Sequence, residues 1–180
     1  VADINKALVK LFGVEGGLTL DPDDNGNWTG GRCGTGVLSG TKYGISAASY
    51  PKEDIRNLTL SRAAAIYDRD FWGPLRLSQI NNQVIAEEIF DTSVNCGVGT
   101  GARIAQEAVN LTNYPDPDIA VDCHIGSGTI AAINGHRSVR AYYKALNGLQ
   151  FVHYMQIVRN NPKQEKFIRS WLSRIFEATI

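Results

Sequence analysis

The sequence predicts a mainly α fold with one small β element, on three observations. Apolar residues recur at helical spacing along most of the chain, from Ile4, Leu8, Leu11 and Phe12 near the start to Phe167, Ile168, Trp171, Leu172 and Ile175 near the end. Breakers divide those runs at Gly73-Pro74, Gly97 and Asn161-Pro162. Only from about Leu18 to Ile45 does strand character take over, where Trp28, Val37, Leu38 and Tyr43 stand among glycines that suit a twisted ribbon.

Taken in order, Asp3 is placed to cap the first helix, and Gly16 or Gly17 is its natural stop. After the ribbon, Tyr50-Pro51 breaks the pattern and a short helix is expected through Ile55. Thr59 then reads as the N-cap of a helix with Leu60, Ala64, Tyr67 and Phe71 on one face. Between Gln83 and Cys96, Ala86, Phe90, Ser93 and Val94 repeat on the inner side, with Glu87, Glu88 and Asp91 on the wetter one. Small residues in that run (Ala86, Ser93, Gly97) predict close packing at the centre of a bundle. A further helix is expected near Gly101, turning Ile104, Ala105, Ala108 and Leu111 inward. Thr112–Asp122, with two prolines, reads as a loop. A short helix with Ile130 and Ile133 follows, then a longer one with Val139, Tyr143, Leu146, Tyr154 and Ile157, and lastly the amphipathic helix near the end.

At 180 residues, 43% hydrophobic and 20% charged, the chain is of ordinary globular composition and long enough to bury a core. It has no apolar run of the roughly 20 residues a membrane span needs. The basic-then-apolar pattern of a secretory signal is not visible, although a start at Val1 leaves room for a leader removed earlier. Three cysteines, Cys33, Cys96 and Cys123, lack the C-x-x-C spacing of a zinc site and read as reduced thiols. Net charge is formally zero but uneven: from Arg137 onward eight basic residues face only Glu165 and Glu177. Such a face commonly does no more than meet solvent. It can also serve an anionic polymer such as nucleic acid or teichoic acid, or a membrane surface, to which Lys163, Lys166, Arg169 and Arg174 would add salt-sensitive attraction.

The sharpest chemical signal is a pair of carboxylates. Glu15 precedes a Gly-Gly pair at the predicted C-terminal end of the first helix, where the macrodipole disfavours a negative charge and raises a carboxyl pKa. Asp24 lies across a turn from it, in the cluster Asp21, Asp23, Asp24. Glycoside hydrolysis needs such a pair, one protonated acid for the leaving oxygen and one carboxylate facing the sugar or a water. Asp23-Asp24-Asn25-Gly26 is equally a turn signal in which aspartates cap the backbone, and spacing alone leaves the two readings even.

Other signals carry less. Gly97-Val98-Gly99-Thr100-Gly101 follows a helix rather than a strand, which argues against a dinucleotide loop. His124, His136 and His153 share no metal-ligand spacing. Tyr67, Phe71 and Trp72 read mostly as core, with room for one aromatic to stack on a sugar. Asn95 suits either an acetamido contact or a helix cap.

The stretches VEGG, DPDDNG, TKYGIS, YPKEDIRNLT, AAAIYDRDFWGPL, FDTSVNCGVGTGARIAQ and PKQEKFIRSWLSRI, in that order, resemble the landmarks of glycoside hydrolase family 108. Its members are peptidoglycan-cleaving N-acetylmuramidases related to phage endolysins and secretion activators. The resemblance runs from Val14 to about Ile175, and the last third, with HIGSGTIAAIN, looks like the predicted peptidoglycan-binding segment that follows the catalytic part. It implies a lysozyme-like fold with the ribbon beside the cleft, a catalytic part over 1–101 and a helical binding segment over 102–180. The family's catalytic glutamate matches Glu15, its Asp-Pro-x-Asp segment matches Asp21, Pro22 and Asp24, and its Thr-x-x-Gly-Ile turn matches Thr41, Gly44 and Ile45. One departure is the added segment NWTGGRCGTGVLSG between the acidic turn and the threonine turn.

The expected activity is hydrolysis of the β-1,4 bond between N-acetylmuramic acid and N-acetylglucosamine. Glu15 is the general acid, Asp24 a stabiliser or water-orienting carboxylate and Thr41 a second water contact, while Tyr43, Tyr67 and Asn95 contact substrate. No cofactor and no metal is needed. The partner is peptidoglycan, not nucleic acid, and the protein is expected to work as a monomer at the cell wall, without a membrane span. A non-catalytic wall-binding or secretion-accessory module and a lytic transglycosylase are the competing readings. A carboxylate kept at an unfavourable helix end argues against the first.

Overall fold

The computed structural model describes residues 1–13 and 17–175. Among these residues are seven α-helices and one two-stranded antiparallel sheet, the mainly α class with a small β element that the sequence predicts. None of the helices is long and apolar enough to cross a membrane. The chain divides into a ribbon unit, Asn5–Asp70, and a helical unit of Val1–Ile4 with Phe71–Ile180.

The first helix, α1 (Ile4–Phe12), buries Ala7 and Leu8. Glu15 and Gly16 lie outside the described residues. The ribbon is smaller than its predicted extent. Strand β1 (Thr41–Lys42) pairs with β2 (Ile45–Ser46), and single bridges join Thr19 to Thr41 and Trp28 to Leu38. The helix expected after Pro51 does not form. Those residues make successive turns, and Asp54 fixes one of them by taking both the backbone N–H and the side-chain amide of Asn57.

Thr59 caps α2 (Leu60–Tyr67) as expected, its hydroxyl oxygen accepting the Arg62 N–H at 3.2 Å. The buried face is rotated from the predicted one: Ala63, Ile66 and Tyr67 are buried, whereas Leu60 is 50% exposed. Helical side chains lean toward the N-terminus, so a residue in the first turn projects past the cap and off the core. The chain leaves this unit through a π-helical turn, Asp68–Trp72.

In the helical unit, α3 (Gln83–Cys96) packs on α4 (Val98–Thr112) and on α6 (Val139–Asn160), and α4 packs on α6. Gly97, at φ +90°, ends α3, and α4 begins directly after it, earlier than the expected start near Gly101. Gly101 has another task. A Cβ there would lie 1.8 Å from the Ser93 hydroxyl oxygen, so only glycine lets α3 and α4 approach this closely. The buried arc of α3 is wider than an amphipathic stripe and takes in Glu88, which the sequence assigns to the wet side. Leu111, expected inside, is 65% exposed.

The loop after α4 is held by side chains, Asn110 exchanging two hydrogen bonds with Ile119 and the buried Gln106 fixing the far end. Gln106 donates to Asp122 Oδ1 at 2.7 Å and to the His124 carbonyl at 2.9 Å, while its own carbonyl accepts the N–H groups of Asp122 and Cys123. A proline-bearing loop thus satisfies its backbone without secondary structure. Helix α5 (Ser127–Asn134) buries Ile130 and Ile133. The last expected helix is short. Pro162–Phe167 is a 3-10 turn started by Asn161, and only α7 (Ile168–Leu172) is α-helical. Its Trp171 is stacked between Tyr154 and Phe167, with ring centroids 5.3 and 6.0 Å away.

Candidate active site

The acidic turn and the threonine turn come together within the ribbon unit, and Asn27 joins them. Asp21 accepts the Asp23 N–H at 2.9 Å, and Asp24 Oδ1 accepts the Gly26 N–H at 2.8 Å, which starts the 3-10 turn Asn25–Asn27. That turn buries Asn27 completely. Its side-chain amide donates to the Asp21 carbonyl at 3.0 Å, and its Oδ1 accepts the Thr41 hydroxyl at 2.8 Å. Its backbone carbonyl takes two more N–H groups, from Ser39 and Gly40. A buried amide with all these bonds made is a rigid anchor, and leaving any of them unmade would be costly.

Thr41 is held on its other side too, exchanging backbone hydrogen bonds with Thr19 at 2.9 and 3.0 Å. With its proton on Asn27, the Thr41 oxygen is left as an acceptor toward any further partner. Asp24 is exposed, and one of its oxygens does the turn capping that the sequence offered as the plainer reading. The added segment leaves and re-enters the site through the same anchor. Trp28 and Leu38 bridge its two ends, and the Trp28 indole N–H donates to the Pro22 carbonyl at 2.9 Å.

Tyr43 sits at the tip of the hairpin with φ +52°, and Gly44 follows at φ +74°. Beneath them Tyr67, 2% exposed, donates its hydroxyl to the Tyr43 carbonyl at 3.1 Å. Phe12 packs against both rings, with centroids 5.7 Å from Tyr43 and 5.8 Å from Tyr67. Tyr67, expected to contact sugar, is buried at this position and supports the hairpin from below. Tyr43 is only partly covered, and Lys42 lies over its ring at 5.4 Å. Asn95 belongs to the helical unit, on α3, where its amide nitrogen donates to the Tyr154 hydroxyl. It does not cap α3, which is closed by the Gly97 N–H. Glu15, the expected acid, lies outside the described residues.

Sequence reasoning missed Asn27. It falls in the added segment, and its only local signal is the Asn-Gly-Asn turn that hands its side chain to the interior. A second cluster of the same unit carries no sequence motif either. Tyr50 donates to Asp70 at 2.9 Å and Arg69 binds the same carboxylate through two nitrogens, while Arg62 pairs with Glu53. The Arg69 guanidinium holds the Asp70 carboxyl below its ordinary pKa. Burial, together with the Asp70 charge, pushes the Tyr50 phenol up. Both shifts keep Asp70 ionised and Tyr50 neutral near pH 7. Among the described residues no group of histidine, cysteine and carboxylate side chains could hold a metal ion.

A family model described as glycosyl hydrolase 108 matches residues 8–97, and one described as a predicted peptidoglycan domain matches residues 100–176. Among solved structures, SagA of Brucella abortus has a similar fold. The TM-score is 0.69 at 20% identity, over 95% of this chain and 88% of that one. At that identity the likeness speaks for the fold alone. No curated protein matches the chain by sequence.

Proposed function

The chain belongs to the glycosyl hydrolase 108 family, and on that premise we propose that it is an N-acetylmuramidase, cleaving the β-1,4 bond between N-acetylmuramic acid and N-acetylglucosamine. Peptidoglycan as the substrate is supported by the second match, over residues 100–176. The catalytic part is taken as residues 1–101 and the wall-binding segment as 102–180, in a monomer acting at the cell wall.

Glu15 is assigned the general acid, giving its proton to the leaving glycosidic oxygen. Asp24 and Thr41 are assigned the water. The observation that carries this part is the Asn27 anchor, which bonds the acidic turn and Thr41 into one network across the added segment. A water between them would give one hydrogen to the carboxylate and the other to the Thr41 oxygen, which has no free proton of its own to offer. That aims a lone pair of the water away from both groups, toward the sugar. The exposed side of Tyr43 is the candidate stacking surface for a pyranose ring.

Digestion of purified cell walls, followed through turbidity and then mass analysis of the products, tests the reading. A reducing N-acetylmuramic acid end supports it. A 1,6-anhydro end would make the enzyme a lytic transglycosylase, and binding without any cleavage would make it a wall-binding module.

A further inference from the structure

In the helical unit, a cleft of about 260 Å³ opens between the segment before α3, the end of α5 and the start of α6. Its apolar side includes Ile133 and Val139, and its polar side Asn81, Asn82, Asn134 and His136. No side chain lining it is charged. Such a lining leaves a phosphate or carboxylate without compensation for its lost water and favours a neutral ligand with an amide to pair.

Part of the cleft is fixed in advance. Asn134 donates to the Gln79 carbonyl and accepts the Asn81 N–H, both at 2.8 Å, tying α5 to the segment before α3. His136 accepts the Ser138 N–H on Nδ1 at 3.1 Å, and its Nε2 faces the Thr112 hydroxyl at 2.9 Å. Thr112 gives its own proton to the Ala108 carbonyl, which leaves Nε2 to donate to the Thr112 oxygen. That ring stacks on Tyr142 at 5.2 Å, making a rigid flat wall. Other donors are uncommitted. Asn82 uses only its oxygen, as the cap of α3, and among the described residues the Asn81 carboxamide has no partner.

We propose that this cleft binds a methyl-bearing secondary amide, the acetamido group of an N-acetylhexosamine. The methyl would rest on Ile133 and Val139, and the amide would pair with Asn81 and Asn82. The inference rests on the reading of the chain as a peptidoglycan hydrolase and gives the helical unit a glycan contact of its own. The volume lies just under the roughly 300–1,000 Å³ of sites for drug-sized ligands, which suits one acetamido group and its ring edge, not a disaccharide. The alanyl amide of a stem peptide has the same chemistry but brings carboxylates that this lining does not meet.

The test is a chemical-shift map of the full ¹⁵N-labelled chain titrated with N-acetylglucosamine, glucosamine, or L-alanyl-D-isoglutamine. N-acetylglucosamine is expected to move the side-chain amides of Asn81 and Asn82 and the His136 backbone amide, while glucosamine leaves them still. Asn81→Ala, at an exposed position, should weaken that binding roughly three- to ten-fold, the cost of one or two neutral hydrogen bonds. Shifts confined to the ribbon unit, shifts produced equally by glucosamine, or cleft shifts with the dipeptide alone would each overturn the proposal. Wall clearing by the same protein is measured separately. Clearing without cleft shifts sinks only this site, whereas cleft shifts without clearing sink only the hydrolase reading.

Discussion

The Thr41 hydroxyl donates a 2.8 Å hydrogen bond to Oδ1 of Asn27, a residue with no exposed surface. This single bond decides what Thr41 can offer a substrate water, namely an acceptor and not a donor. It also makes the threonine part of the fold as well as of the chemistry.

Thr41→Val is therefore expected to have two effects. The buried Asn27 oxygen loses its partner, at a cost of about 1–3 kcal/mol in stability. Turnover should fall far more than substrate binding, because the water loses one of its two contacts. Thr41→Ser, which keeps the hydroxyl, should restore most of both. Urea unfolding and kcat measured beside KM check the pair, and a Thr41→Val enzyme with wild-type kcat would remove the threonine from the mechanism.

Glu15→Gln is expected to abolish wall cleavage while leaving the unfolding midpoint near wild type. Glutamine has the same shape but cannot give up a proton, and losing general acid help costs about 10²–10⁴-fold. Retention of more than about a tenth of the wild-type rate, well short of that loss, would show that another group is the acid.

Much of this arrangement is legible in the residues, and the exceptions share a cause. The helix cap at Thr59, the break at Gly97 and the inward faces of Ile104 and Ala105 follow from local chemistry, and the structure has them where the sequence puts them. The acidic turn and Thr41 are likewise visible as motifs. Asn27 is not, because what marks it is burial and bonds to residues six and fourteen positions away. The wet side of α3 fails for a related reason. Periodicity tells that a helix has a buried stripe but not how wide it is, and on α3, which packs on two helices, Glu88 is buried as well. Tyr67 shows the limit for aromatics, since periodicity places its ring inward without telling that its hydroxyl meets the Tyr43 carbonyl.

Gly44 should tolerate no side chain. Its φ of +74° disfavours L residues, and a Cβ there would lie 2.5 Å from the Tyr67 hydroxyl oxygen. Gly44→Ala is expected to destabilise by about 1–3 kcal/mol from backbone strain. Tyr67→Phe, which gives up the hydrogen bond to the Tyr43 carbonyl but relieves no strain, should cost at least about 0.5–1.5 kcal/mol. In the double variant the alanine should cost less than it does alone, because its methyl no longer meets the hydroxyl. Strictly additive losses in thermal unfolding would count against this contact.

The basic end of the chain also makes a claim that salt can test. Arg174 is already paired with Asp91 at 2.6 Å, so it drops out of the set expected to attract wall polymers. Lys163, Lys166 and Arg169 stay exposed. Replacing these three with glutamine should weaken wall binding at low ionic strength and make no difference at high salt, since exposed charges are screened beyond roughly 8 Å in physiological conditions. Equal binding by variant and wild type at low salt would leave this face as ordinary solvated surface.

The stereochemistry of cleavage follows from the role given to water. If Asp24 and the Thr41 oxygen each accept a hydrogen from one water on the face opposite Glu15, attack is a single displacement and the anomeric centre inverts. Inverting enzymes keep their carboxyls about 6.5–9.5 Å apart to make room for that water, whereas retaining enzymes hold them at about 5–5.5 Å so that one can attack the sugar itself. Asp24 is poorly suited to such an attack. One of its oxygens is bound to the Gly26 N–H as the cap of the turn, which fixes the carboxylate and draws off part of its charge. A water held between that carboxylate and an acceptor-only hydroxyl needs no such freedom. Cleavage of the β bond should thus release a reducing end that is α-configured before it mutarotates. NMR of freshly released products reads this directly, and an initial β-configured end would replace the water with a covalent glycosyl-enzyme.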